Sequence, residues 1–163
     1  MSVEQKKEFE IVSKEEFLAI GFKWEGTFAE AADGGIRRIQ AELKNRLEEI
    51  SGKVNPETLL GLSYHASENS EGFTHYAAVE VSNADSVPEG MVSISVPANR
   101  YAQTDHRKGE SVVESYNQIY IWIREQGMEA SQSGLTHFEK YPMAQDPFST
   151  TPAFTIMIPI ETA

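Results

Sequence analysis

The sequence predicts an α+β domain made of two β-α-β-β halves, with an antiparallel or mixed sheet and both helices on one face, leaving the other face to a ligand groove or to solvent. Three observations carry this expectation. The order strand, helix, strand, strand occurs twice, over about residues 8–82 and 91–161. Each half supplies one amphipathic helix, too little to stand alone, so the halves must share a core within a single domain spanning 1–163. The last strand, "AFTIMIPI", alternates, with Phe154, Ile156, Ile158 and Ile160 on one side and Thr155 and Met157 on the other.

The elements follow in order. "FEIVSKEEFLAIGFKWEGTF" is rich in Ile, Val and Phe and reads as a strand cornered at the polar stretch Ser13–Glu16. "ADGG" is a flexible entry to "GGIRRIQAELKNRLEEISG", where Ile36, Ile39, Leu43, Leu47 and Ile50 recur at steps of three and four along one helical face. Gly52 is a fitting stop. Asn55–Pro56 turns the chain into the strands "LLGLSYH" and "FTHYAAVEV", and "NADSVPEG" closes the half as a loop. In the second half, "MVSISVPANRYAQTDH" is a strand broken at Pro97. "ESVVESYNQIYIWIREQG" is a helix opened by a Ser111–Glu114 capping box, with an apolar stripe of Val112, Tyr116, Ile119, Tyr120 and Ile123, ended by Gly127. "LTHFEKY" and "AFTIMIPI" are the closing strands.

Composition narrows the function. With 25 acids against 14 bases the net charge is −11, a field that repels phosphate backbones. The basic stretches "IRR" and "HRK" are not interleaved with aromatics, so direct nucleic-acid binding is not expected. Cationic small molecules or a basic protein partner suit the charge. The chain has no cysteine, which excludes disulfides and thiolate chemistry. "MSVEQKKEFE" lacks an apolar leader and no run approaches the ~20 apolar residues of a membrane span, so a cytoplasmic protein without membrane contact is expected. His65, His75, His106 and His137 lack metal-ligand spacing, and "GLSYH" lacks the second glycine of a nucleophile elbow. No metal and no cofactor are expected.

The candidate site comes from what the helices leave uncovered. If Phe138 of "THFEKY" belongs to the helix-covered core, then His137, Glu139 and Tyr141 point away from it. Tyr76 and Met157 join them by alternation, with Trp24 and Trp122 at element ends nearby. An aromatic surface around one carboxylate suits a cation. The same pattern also fits a solvated sheet face, because surface tyrosines are common and a strand glutamate ordinarily faces water.

Taken in order, "GGIRRIQAELKNRL", "NPETLLGLSYH", "FTHYAAVEV" with "VPEGM", "VPANRYA", "YNQIYIWI", "HFEKY" and the final "IPI" resemble the GyrI-like small-molecule-binding domain. That domain is the effector-binding part of bacterial AraC- and MerR-type multidrug transcription regulators. The resemblance covers nearly the whole chain. It implies a duplicated fold with a groove between the halves that takes amphipathic organic cations or aromatic molecules. The family's "FE-x-Y" glutamate falls on Glu139, with Tyr141 as its partner. Trp122 matches a tryptophan at the end of the second helix, and Tyr76 and Trp24 are carried over as further walls. The fold uses all 163 residues and leaves no helix-turn-helix, so a stand-alone member is expected. Two alternatives stay open: a hydrolase of reactive small molecules, with Glu139 as general base and Tyr141 hydrogen-bonding the developing charge, and a protein inhibitor such as a gyrase-protecting protein.

Overall fold

The computed structural model describes residues 8–65, 72–131 and 134–162. The first seven residues, read above as part of a start without an apolar leader, lie outside them. The polar corner at Glu15 and Glu16 divides the first apolar run into β1 (Glu10–Lys14) and β2 (Phe17–Gly26). A short helix the sequence reading missed follows, α1 (Phe28–Ala32). It is held by a complete capping box: Glu30 N–H donates to Thr27 Oγ1 at 3.1 Å, and Thr27 N–H donates to Glu30 Oε1 at 2.9 Å. Gly34, at φ +105°, makes the left-handed link to α2 (Gly35–Asn45). The helix ends there and a 3₁₀ turn covers Leu47–Glu49, so the stripe expected to run to Ile50 is delivered by two elements.

The strands β3 (Thr58–Tyr64) and β4 (Phe73–Val81) complete the first half. Pro97 separates β5 (Val92–Val96) from β6 (Asn99–His106). α3 (Val112–Glu125) starts at Ser111, whose Oγ accepts from Glu114 N–H at 3.3 Å; only that half of the expected box is made. A three-residue strand, β7 (Met128–Ala130), then β8 (Leu135–Pro142) and β9 (Phe154–Thr162) end the chain. Among the described residues the strands form one nine-stranded sheet in the order β1-β6-β9-β8-β3-β4-β2-β5, with β7 paired to β9. Every ladder is antiparallel.

Most of each stripe packs inward, but Val112, counted in the stripe of α3, is 38% exposed in the first turn, before the helix reaches the sheet. Leu43 of α2 is fully buried in a cluster with Ile20, Phe22, Leu59, Ala77 and Val79. Ile119 and Ile123 of α3 are buried against Ala102, Ile156 and Ile158. No helix among the described residues is long and apolar enough to cross a membrane.

The expectation of a ligand groove on the opposite side of the sheet is overturned. A third cluster fills that side: Phe17, Ala19, Leu60, Leu62, Ala78, Ile94, Val96, Tyr101, Phe138 and Met157. The physical reason is curl. β1 and β2 are joined by two residues yet stand six strand spacings apart in the sheet order. Flat strands at about 4.8 Å would put them roughly 29 Å apart. The three steps from Lys14 to Phe17 reach at most about 11 Å. The sheet must therefore bend until its two sides meet across this face. Phe138 accordingly touches both Phe17 of β2 and Tyr101 of β6, with ring centroids 5.6 and 5.5 Å away. Lys14 of β1 reaches Glu80 of β4 at 2.9 Å.

Candidate functional site

The alternation in "THFEKYP" is as the sequence reads, but its sides are exchanged. Phe138 pairs with Leu62 and Met157 and lies in the curled interior. Glu139 pairs with Gly61 of β3 and Ile156 of β9, and Ile156 is packed by α3. Cross-strand partners share a face, so His137, Glu139 and Tyr141 point toward α3 instead of away from the helices. A buried Phe138 does not identify the helix side, because both faces of this sheet are buried.

Glu139 is partly buried, and two phenols hold its carboxylate. Tyr116, from the apolar stripe of α3, donates its hydroxyl to Oε2. Tyr141, two residues along β8, donates to Oε1 at 3.1 Å. Burial raises the Glu139 pKa above 4.5, and the two hydroxyl donors oppose that rise by favouring the ionised form. Both tyrosines are held well above pKa 10, first by burial and then by the negative charge of Glu139, so the proton stays on oxygen and the donors stay donors. Tyr141 stacks on Phe154 at 4.8 Å. One donor from α3 and one from β8 itself thus converge on one carboxylate.

Two histidines flank it. His137 Nε2 and the Tyr120 hydroxyl are 2.6 Å apart, and its Nδ1 lies 3.1 Å from Thr136 Oγ1. Tyr116 sits edge-on to the same ring at 5.6 Å. His75 is fully buried on β4, with Nδ1 2.8 Å from Ser63 Oγ. Burial lowers the His137 pKa to about 4 and, with a smaller contribution from the charge His137 would carry, that of His75 to about 3. Both rings are neutral at pH 7.

The other expected residues disperse. Trp24 is the cross-strand partner of His75, its indole lying over Gly35, where a Cβ would come within 2.5 Å of Nε1. Trp122 stacks on Phe9 at 5.5 Å under the flank of α3. Tyr76 and Met157 belong to the curled interior, on the opposite face from Glu139, with Tyr76 edge-on to Tyr64 at 5.6 Å. The sequence reading missed Tyr116, Tyr120 and His75 as polar members of the site. The available signal was that a tyrosine in a buried stripe needs a hydrogen-bond partner for its hydroxyl. A cavity of about 700 Å³ opens where β8 ends and β9 begins; it touches Tyr141 and Phe154 but not Glu139, His75 or His137. The bonded carboxylate, with two donors and a perturbed pKa, is the stronger marker of chemistry than this shallow opening.

A family model described as the GyrI-like small molecule binding domain matches residues 7–161. The transcriptional regulator BrlR of Pseudomonas aeruginosa is 30% identical over 154 residues, which cover 92% of this chain and 54% of BrlR. The chain therefore spans about half the length of that curated relative. Among solved structures, the EcmrR C-terminal domain is similar with a TM-score of 0.69 at 11% identity, over 98% of this chain and 100% of that one. SAV2435 bound to tetraphenylphosphonium is similar with a TM-score of 0.68 at 16% identity, over 94% of each chain. These structural likenesses are likenesses of fold.

Proposed function

The chain belongs to the GyrI-like small molecule binding domain family, and we propose that it binds amphipathic, cationic organic molecules with Glu139 as the counter-charge. Tyr116, Tyr141 and Trp24 supply the surrounding aromatic surface, with Trp122 as an outer wall. The observation that carries the reading is the Glu139 carboxylate itself: partly buried, held in place by two phenols, and with no ion-pair partner among the described residues. A desolvated carboxylate and aromatic faces both attract an organic cation, and the net charge of −11 favours its approach.

The architecture that would present such a site is a duplicated β-α-β-β with both helices on one face. Supporting it is the cross-strand row Ile156–Glu139–Gly61–Ala77–Phe22, which has one member packed by α3 and two packed by α2. The cleft then lies along the seam between the helices. The domain is related to the effector domains of regulators, and a ligand-sensing role without direct nucleic-acid contact by this domain, in the cytoplasm, follows from the same reading.

The test is a calorimetric titration with methyltriphenylphosphonium and with neutral triphenylphosphine oxide, which is close in shape. The cation is expected to bind and the neutral compound to bind at least about tenfold more weakly, the scale of one charge-assisted contact. Equal affinities would overturn the reading. Mass spectrometry of the recovered ligand should return it unchanged; a hydrolysed product would instead make Glu139 a general base.

A further inference from the structure

His75 is the buried polar group that the cation reading leaves unused. It is 1% exposed and stands opposite Ser63 on one neighbouring strand and Trp24 on the other. Its Nδ1 is satisfied by Ser63, but among the described residues its Nε2 has no hydrogen-bond partner. Leaving a buried polar atom unpaired costs stability, and such groups in folded proteins are rare enough to call for an occupant. Charging does not relieve it, because burial keeps the ring neutral. A neutral imidazole with Nδ1–H donating to Ser63 Oγ offers a lone pair at Nε2.

Gly61 decides what that lone pair can meet. It pairs with Glu139 on β8 and with Ala77 on β4. A Cβ there would lie 3.2 Å from His75 Cε1, 3.4 Å from Nε2 and 3.5 Å from Glu139 Oε1. Its backbone is not in the left-handed region, so what glycine provides here is close approach, not conformational freedom. With no side chain between them, the imidazole nitrogen and the carboxylate oxygen both close on one spot above Gly61. A group that satisfies both needs two hydrogen-bond donors, and a positive charge strengthens its hold on the carboxylate.

We infer that the site selects primary and secondary ammonium ions over quaternary ones, the ammonium seated over Gly61 and donating one N–H to Glu139 and another to His75 Nε2. This deepens the cation reading and rests on it. A quaternary nitrogen keeps the attraction to Glu139 but has no N–H, so it leaves Nε2 unpaired and sets methyl groups against it.

The experiment is calorimetry at pH 7.5 with 2-(1-naphthyl)ethylammonium and its N,N,N-trimethyl counterpart, which share one aromatic body and one charge. The wild-type protein should bind the primary ammonium about tenfold or more tightly, the scale of a hydrogen bond to a charged group. In His75→Phe the preference should shrink to within about twofold, by loss of ammonium affinity. Gly61→Ala, which fills the spot with a methyl, should have the same effect and carries the test if circular dichroism finds His75→Phe unfolded. Equal wild-type affinities, or an unchanged preference in the folded variants, would overturn the selectivity while leaving the cation site standing. Failure of both cations to bind the wild-type protein would remove the cation reading itself.

Discussion

The two faces of the sheet are both buried, and they differ in what buries them. The curled face is closed by the sheet's own strands. Its cluster is aliphatic and aromatic, and Tyr101, whose hydroxyl has no partner among the described residues, is kept neutral there with a pKa raised to about 12 by burial. On the other face, Glu139, His75, His137 and the hydroxyls of Tyr116, Tyr120 and Tyr141 lie near residues clustered with Leu43 of α2 and with Ile119 and Ile123 of α3, and most of these polar groups are bonded to one another. The polar groups on the curled face include the Lys14–Glu80 ion pair at 2.9 Å and the Tyr101 hydroxyl. Helix packing on the other face brings in polar side chains of its own: Tyr116 and Tyr120 of α3 reach Glu139 and His137. Adjacent residues of β8 sample the two environments: Phe138 is fully buried in the dry one, and Glu139 lies in the polar one.

Those neighbours give the sharpest way to break the comparison. Phe138→Ala removes a fully buried ring in contact with Phe17 and Tyr101 and should cost about 3–5 kcal/mol in stability, read from urea unfolding. A loss under about 1 kcal/mol would mean that the curled face is not the packed core described here.

The next largest effect is on binding. Glu139→Gln keeps the shape of the side chain and removes the charge. Cation affinity should fall by about 1–3 kcal/mol, and that of a neutral aromatic ligand should hold. Because burial raises the Glu139 pKa above 4.5, wild-type cation affinity should also decline on acidification as the carboxylate takes up a proton. The Gln variant should show no such decline. Unchanged cation affinity in the variant would return Glu139 to the role of a plain strand residue.

Much of this fold is readable from local pattern. The stripe from Ile36 to Ile50, the alternation of Phe154 to Ile160, and the corners expected at Ser13–Glu16 and Pro97 each follow from periodicity or a backbone constraint acting within a few residues, although the helix stops at Asn45 and the first corner narrows to Glu15–Glu16. α1 and β7 escape because they are five and three residues long, too short for periodicity to register. The side assignment of β8 fails for a different reason. Alternation separates Phe138 from Glu139 but does not say which side the helices cover, and the curl that buries the second face depends on pairing between strands far apart in sequence. Tyr76 and Met157 were misplaced by the same exchange. Tyr116 was legible only as apolar, since a tyrosine fits a buried stripe equally well whether or not its hydroxyl meets a carboxylate.

The smallest expected effect tests whether the polar face costs the protein stability when it is empty. A carboxyl whose folded pKa is raised binds its proton more tightly folded than unfolded. Between its unfolded value, near 4.5, and its folded value, the folded protein therefore holds more protons, and this group's contribution to stability falls as pH rises. His75 and His137 act in the opposite sense: with pKa lowered from 6.5 to about 3 and about 4, they contribute stability above 6.5 that is lost as pH falls toward those values. The overall curve should drop in acid because of the histidines, which hides the carboxylate. Subtraction recovers it, since wild type and Glu139→Gln share both histidines. The stability of the Gln variant minus that of wild type should be larger at pH 7.5 than at pH 5, changing by at most about 1.4 kcal/mol per pH unit, the limit for one proton. Urea midpoints for both proteins at the two pH values give that difference. A difference that does not move with pH would mean the carboxylate feels no desolvation, and the polar seam would then be as wet as an open surface.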